Sequence, residues 1–381
     1  MRSTAFRNIL AAIIIFSVTL FSFTGCGKKG APLSENVRKA SFKPLFSLRK
    51  TAADRITVIA AGDVNFGDGV TPYLTRMGVN WPWENVGDLL SSADIAFVNL
   101  ECAISSRGAP VAGKEFTFRG PVDSVKGLKT AGVDVVSLAN NHSKDYGSVA
   151  LIDTMRYLAS SNIAWCGAGN NLDEAYCPAV IEVRGKSVAF LAFTSIVPAG
   201  WPATDSEPGC AITWNKERVL KAIERAKTNH DFVVVSYHWG VELATCPNGD
   251  QVSLAQLSID SGADLVLGHH PHVVQGFQVY KNRLIAYSLG NFIFYPPREI
   301  SSKTLLLSVL LDRNGVIQAK VLPVQIRSCR PIPMRGEFAS SWLSTLKDYS
   351  SRLGTDLRIT NSHGYIDARA SNAPQGGKRS E

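Results

Sequence analysis

The stretch LVLGHHPHVVQG, residues 265–276, carries the reading of this chain. Leu265–Leu267 is a short apolar run centred on a β-branched residue and closed by Gly268 and Pro271, the pattern of a buried strand. Three histidines, His269, His270 and His272, follow within five positions. In an α/β sheet the carboxyl ends of parallel strands converge on one edge, so side chains placed there meet side chains from neighbouring strands.

Four further segments repeat this arrangement. Ile56–Ala61 leads into Gly62-Asp63-Val64-Asn65, and Ile95–Val98 leads into Asn99-Leu100-Glu101. Val133–Leu138 leads into Asn140-Asn141-His142, and Phe232–Tyr237 ends in His238-Trp239-Gly240. The chain has 7 histidines, and only His230 and His363 lie outside these segments. A random scatter would rarely group them so.

Amphipathic segments fill the gaps. Ser148–Ser161 places Leu151, Met155 and Leu158 on one stripe, Glu217–Thr228 does the same with Val219, Ile223 and Ala226, and Ser253–Ser261 is a third helix. Ala179–Val183 with Ser187–Phe193 around Arg184-Gly185, and Thr304–Leu311 with Val316–Val321 around Asn314-Gly315, read as hairpins. Strand-helix alternation broken by hairpins predicts an α/β layered fold with mixed parallel and antiparallel sheets flanked by helices.

At 381 residues, with 45% hydrophobic and 19% charged residues, the composition is that of a globular protein. Residues 1–25 hold Arg2 and Arg7, no acidic residue and an apolar run from Ile9 to Phe23, which reads as an export signal. The run ends in Phe23-Thr24-Gly25-Cys26, similar to a bacterial lipobox with Phe where Leu is usual, and this marks Cys26 for lipidation. A plain cleaved signal or an uncleaved anchor is the alternative, and each reading takes the main domain out of the cytoplasm. Residues 26–54, rich in Lys, Arg, Ser and Pro, read as a tether, residues 55–335 as the main domain, and 336–381 as an extension with a disordered end.

The net charge is +8, and removal of residues 1–25 with Arg2 and Arg7 leaves 38 basic against 32 acidic residues, +6, which favours an anionic partner weakly. Six cysteines besides Cys26 are compatible with disulfides or buried thiols, and their spacing fits no structural zinc motif. The chain has no glycine-rich phosphate loop and no repeat, so neither ATP use nor nucleic-acid recognition is expected.

Taken singly, each strand-end segment has a plainer reading: Asp63 as a helix cap, Asn141 as a turn residue, His238 as a satisfied core histidine. Together they offer carboxylates, an amide oxygen and imidazoles, the donor set of a divalent cation such as manganese, iron or zinc. His269 and His270 point to opposite faces of an extended segment, and the alternating pair His270 and His272 is the preferred one, with His269 as a supporting group. Asp145 and Glu242 could orient ligand imidazoles or contact substrate, or be solvated loop acids.

The strings AAGDVNFG, VNLECAIS, SLANNHSKDYG, YHWGVE, GHHPHVVQG and IAYSLGNFIF, in this order between Ile56 and Phe294, resemble the CapA branch of the calcineurin-like metallophosphoesterases, named for poly-γ-glutamate capsule synthesis. The resemblance implies a layered metallophosphoesterase fold and a site for one or two divalent ions. It places Asp63, Glu101, Asn141, His238, His270 and His272 around the metal, with Glu101 in the bridging position and His142 facing substrate as the catalytic residue. Two positions depart from the superfamily pattern: Asn65, expected as a weaker, neutral metal ligand, stands where a histidine is usual, and Glu101 where an aspartate is.

The expected function is that of an exported, lipid-anchored capsule-synthesis protein hydrolysing a phosphoester or another anionic envelope substrate. A non-catalytic accessory subunit that binds polymer is the alternative. Its expected partners are the membrane, an anionic capsule polymer and other capsule-synthesis subunits.

Overall fold

The computed structural model describes residues 39–41, 54–295 and 298–369. The signal, Cys26, most of the tether and the tail from residue 370 lie outside the described residues.

Five strands carry site residues: β1 (Ile56–Val64), β2 (Ile95–Leu100), β3 (Val135–Ser137), β4 (Phe232–His238) and β5 (Leu265–His269). In the larger sheet β1, β2, β3 and Ala164–Cys166 run parallel in that order. Its other half is antiparallel, built on the hairpin Lys303–Asp312 and Gly315–Arg327. In the second sheet Lys186–Thr194, β4, β5 and Arg283–Ala286 are parallel, and antiparallel neighbours flank them. The mixed, layered architecture expected from the sequence is the one observed.

Side-chain alternation shows how the layers stack. Ile56, Val58 and Ala60 of β1 and Phe97 of β2 share one buried cluster with Phe190, Phe232, Val234, Leu265 and Leu267 of the second sheet. The intervening Ile59, Ala61, Ala96 and Val98 face a second cluster with Leu151, Met155 and Leu158 of the helix Gly147–Ser160. Val233, Val235 and Val266 face a third with the helices Lys216–Asn229 and Gly249–Asp260. The two sheets therefore lie face to face with helices outside, and strands covered on both faces read as unbroken apolar runs. Between the sheets the rings of Phe97 and Phe190 stack 5.8 Å apart at 8°.

Local chemistry sets the helix ends. Asn215 accepts from Arg218 N–H, and Asn248 with Gln251 forms a reciprocal capping box. That box starts the third helix at Gly249, four residues before the sequence reading placed it.

The chain beyond Arg335 is part of the same core. The helix Gly336–Ser351 buries Trp342, Leu343 and Leu346 in the cluster between the sheets, and His363–Asp367 pairs with Gly315–Arg327. Cys102, Cys166, Cys210, Cys246 and Cys329 are free thiols, of which only Cys246 is exposed.

Candidate metal centre

Parallel neighbours deliver the site from two directions. Asp63 is the penultimate residue of β1, Glu101 follows β2 and Asn140-Asn141-His142 follow β3, all from the larger sheet. His238 ends β4, and His270 and His272 follow β5 in the second. The cluster straddles the seam between the sheets.

Backbone devices aim these residues. Pairing between β1 and β2 slips between Ala60 and Asp63, an irregularity of the kind that re-aims a side chain. Gly62 is required beside it, because a Cβ there would sit 1.8 Å from the Gly290 carbonyl oxygen. Gly268 has the same reason, a Cβ at 1.9 Å from Tyr287 O. His270 and His272 hold φ of 94° and 57°, left-handed values that cost about 1–3 kcal/mol each and persist only where the surroundings impose them.

Glu101 lies at the centre, fully buried, and neither carboxylate oxygen has a hydrogen-bond partner. Its Oε1 is 3.5 Å from His238 Nε2 and 3.9 Å from the Nε2 atoms of His142 and His272. His238 Nε2 is 2.8 Å from Asn141 Oδ1 and 3.1 Å from His270 Nδ1. Asp63 Oδ2 is 3.7 Å from His272 Nδ1, and Oδ1 accepts from Asn99 Nδ2 at 2.9 Å.

Two groups of ligand atoms, each within 4.8 Å of one another, share Glu101: Glu101 with His238 and His270, and Asp63 with Glu101 and His272. Asn141 adjoins the first. A buried carboxylate without donors is costly in a dry protein, and a cation, or a proton in its absence, removes that cost. The residues therefore fit one or two divalent ions with a carboxylate between them.

The charges agree with this. Burial, reinforced by the charge of Asp63, pushes the Glu101 carboxyl well above its ordinary range. Burial would raise Asp63 too, but the contact with His269 and the charges of His269 and His272 bring it below. Burial and then the neighbouring imidazoles drive His238 far down and His270 to about 3, which leaves their ring nitrogens as lone-pair donors.

His142 is held differently. Its Nδ1 is 2.6 Å from Asp145 Oδ2, and its ring stacks on Phe118 with centroids 4.1 Å apart. Asp145 also accepts from Phe118 N–H at 2.6 Å and from the Lys114 ammonium, which in turn donates to Asn141 O at 2.6 Å. Burial lowers the His142 pKa, while Asp145 opposes the shift.

The remaining candidates separate. Asn65 is buried, and its Oδ1 accepts from Gly67 N–H at 2.7 Å, so the oxygen that could ligate closes a local turn. His269 is buried against Phe97 and touches Asp63 Oδ1 at 3.2 Å, a supporting position. Glu242 is exposed, and its carboxylate groups with His270 and His272 within 4.8 Å.

Three participants escaped the sequence reading. Asn99 bridges Asp63 and Asn140, and its Nδ2 lies 3.4 Å from His238 Nδ1. Asn291, within the string IAYSLGNFIF, lies with its Oδ1 2.8 Å from His272 Nδ1. Lys114 arrives from an irregular loop with no periodicity to mark it.

The family model described as bacterial capsule synthesis protein PGA_cap matches residues 57–296. The chain belongs to the PGA_cap family. It is 34% identical over 288 residues to the capsule biosynthesis protein CapA of Bacillus anthracis, covering 74% of this chain and 70% of the relative. It is 31% identical over 335 residues to the PGA biosynthesis protein CapA of Bacillus subtilis, covering 86% and 83%. Among solved structures, a putative 5'-nucleotidase of Staphylococcus aureus aligns with a TM-score of 0.44 at 16% identity, over 77% of this chain and 58% of that one. The PGA_cap match covers the carboxyl ends of all five strands that deliver the cluster.

Proposed function

We propose that this PGA_cap protein is an exported, lipid-anchored component of capsule or poly-γ-glutamate synthesis whose strand-end cluster is a divalent-metal hydrolase site for a phosphoester or another anionic envelope substrate. The observation that carries the reading is Glu101, a buried carboxylate with no donor, ringed by imidazoles. Asp63, Glu101, Asn141, His238, His270 and His272 hold the metal. Bound there, a divalent cation supplies Lewis acidity toward an anionic oxygen.

The other residues position and move protons. Asp145 and the Lys114 ammonium fix the His142 ring through its Nδ1 side, so Nε2 faces the cluster, and in the imidazolium form, with Nδ1–H held by Asp145, the Nε2 proton can pass to a leaving oxygen. Asn140 accepts from His142 N–H and donates to Leu100 O, which ties the His142 turn to the end of β2. Phe118 covers one face of the ring and excludes water from it.

An accessory role without turnover has its own support. A Mycobacterium tuberculosis relative, 28% identical over 357 residues, is described as a probable polyglutamine synthesis accessory protein. One experiment separates the readings: metal content of the purified full chain, with manganese-dependent hydrolysis of a generic phosphodiester and phosphomonoester. Bound metal with turnover, lost in Asp63→Ala/His238→Ala, supports the hydrolase. Without turnover, normal polymer assembly by that folded double variant supports an accessory role in which the metal is dispensable.

A further inference from the structure

Glu242 differs from the rest of the cluster in being exposed, yet its backbone is fixed. Leu243 N–H donates to Pro271 O at 2.8 Å, which clamps the turn after β4 onto the histidine turn after β5, and Leu243 itself holds a left-handed φ of 62°. Behind the turn, fully buried Gln275 donates to Ala244 O at 2.9 Å and Cys246 O at 3.1 Å, and accepts from Gln251 at 3.0 Å. A solvent-facing loop held at this many points directs its side chain rather than letting it wander.

The Glu242 carboxylate is directed at His270 and His272, with ligand atoms within 4.8 Å of one another. Meanwhile Asn65 Oδ1 accepts from Gly67 N–H at 2.7 Å, which occupies one of its two lone pairs. A mouth carboxylate beside two imidazoles is a donor set suited to zinc, iron or manganese.

We propose that Glu242 is a direct, solvent-side ligand of the metal centre, joining His270 and His272 at its mouth. The inference rests on the reading that the cluster binds divalent metal, and it assigns to Glu242 a role distinct from orienting other ligands.

The test uses the full chain stripped with a chelator and titrated with Zn²⁺ and Mn²⁺, comparing wild type, Glu242→Gln and Asp63→Asn. Glu242→Gln is expected to weaken binding about tenfold or more, about 1.4 kcal/mol, with an unchanged metal-free melting temperature. In zinc-soaked crystals an anomalous peak is expected ~2.0–2.2 Å from a Glu242 oxygen. Wild-type affinity in Glu242→Gln, with binding lost in Asp63→Asn, overturns the Glu242 assignment and leaves the centre standing. No binding by the wild type overturns both.

Discussion

Glu101 is the residue on which the site turns, and its burial makes predictions with a definite sign. Its folded pKa is raised above the usual 4.5, so between those values the folded chain binds a proton that the unfolded chain has released. Its contribution to stability is therefore present at acid pH and is lost as pH rises through the folded pKa. In chelator, Glu101→Gln should be more stable than wild type at pH 8, and the difference should shrink toward pH 4.5. Urea unfolding across that range measures it, and a variant less stable than wild type at pH 8 would sink the idea. The same variant should lose most of the rise in melting temperature that metal gives wild type.

The histidines work in the opposite sense. His270 is depressed from 6.5 to about 3 and His238 is also well below 6.5, so the unfolded chain takes up protons that the folded chain refuses. Metal-free protein should lose stability as pH falls below about 6.5 and go on losing it toward 3. His270→Gln should flatten that acid limb, which a set of denaturation curves at fixed chelator will reveal.

At the level of elements, strand ends are where the sequence was most legible. Asp63, Glu101, Asn141, His238, His270 and His272 could be picked out because each closes or follows an apolar run, and apolar runs are visible without knowing which strands pair. What pairing alone creates could not be read. The slip between Ala60 and Asp63 exists only against β2, and the left-handed backbone at His270 and His272 is imposed by surroundings distant in sequence. Lys114 reaches Asp145 across 31 positions from a loop with no period. Asn65 was legible as a candidate ligand, but its capture by Gly67 N–H depends on a turn that the alternation pattern does not encode. The capping box at Asn248 was legible in principle, as Asn followed three residues later by Gln, and was missed because the apolar stripe begins later.

Two substitutions test elements rather than ligands. Gly62→Ala forces a Cβ to within 1.8 Å of Gly290 O, so the strands must part. A loss above about 3 kcal/mol is expected, in the upper range of single substitutions, and calorimetry of the variant checks it. Asn248→Ala removes one half of the capping box and should cost about 1 kcal/mol, seen as a small drop in denaturation midpoint with metal content unchanged.

For the molecule as a whole, the C-terminal segment sets a limit on dissection. Trp342, Leu343 and Leu346 belong to the cluster between the sheets, and Trp342 Nε1 donates to Thr304 O at 3.2 Å. A chain ending at Arg335 would expose that apolar surface and is expected to be insoluble or to lose cooperative unfolding. A soluble truncated form with a sharp thermal transition would contradict this. The segment resembled an extension because its sequence has weak periodicity, but a helix that closes the end of a sandwich needs only three or four apolar anchors.

The seam has a mechanical consequence. One sheet supplies Asp63, Glu101 and Asn141 and the other supplies His238, His270 and His272, so a cation seated among them fastens two leaves together as a rivet does. A molecule stretched between optical traps should then part its sheets at a higher force with zinc than after chelation, and the extra force should vanish in Glu101→Gln.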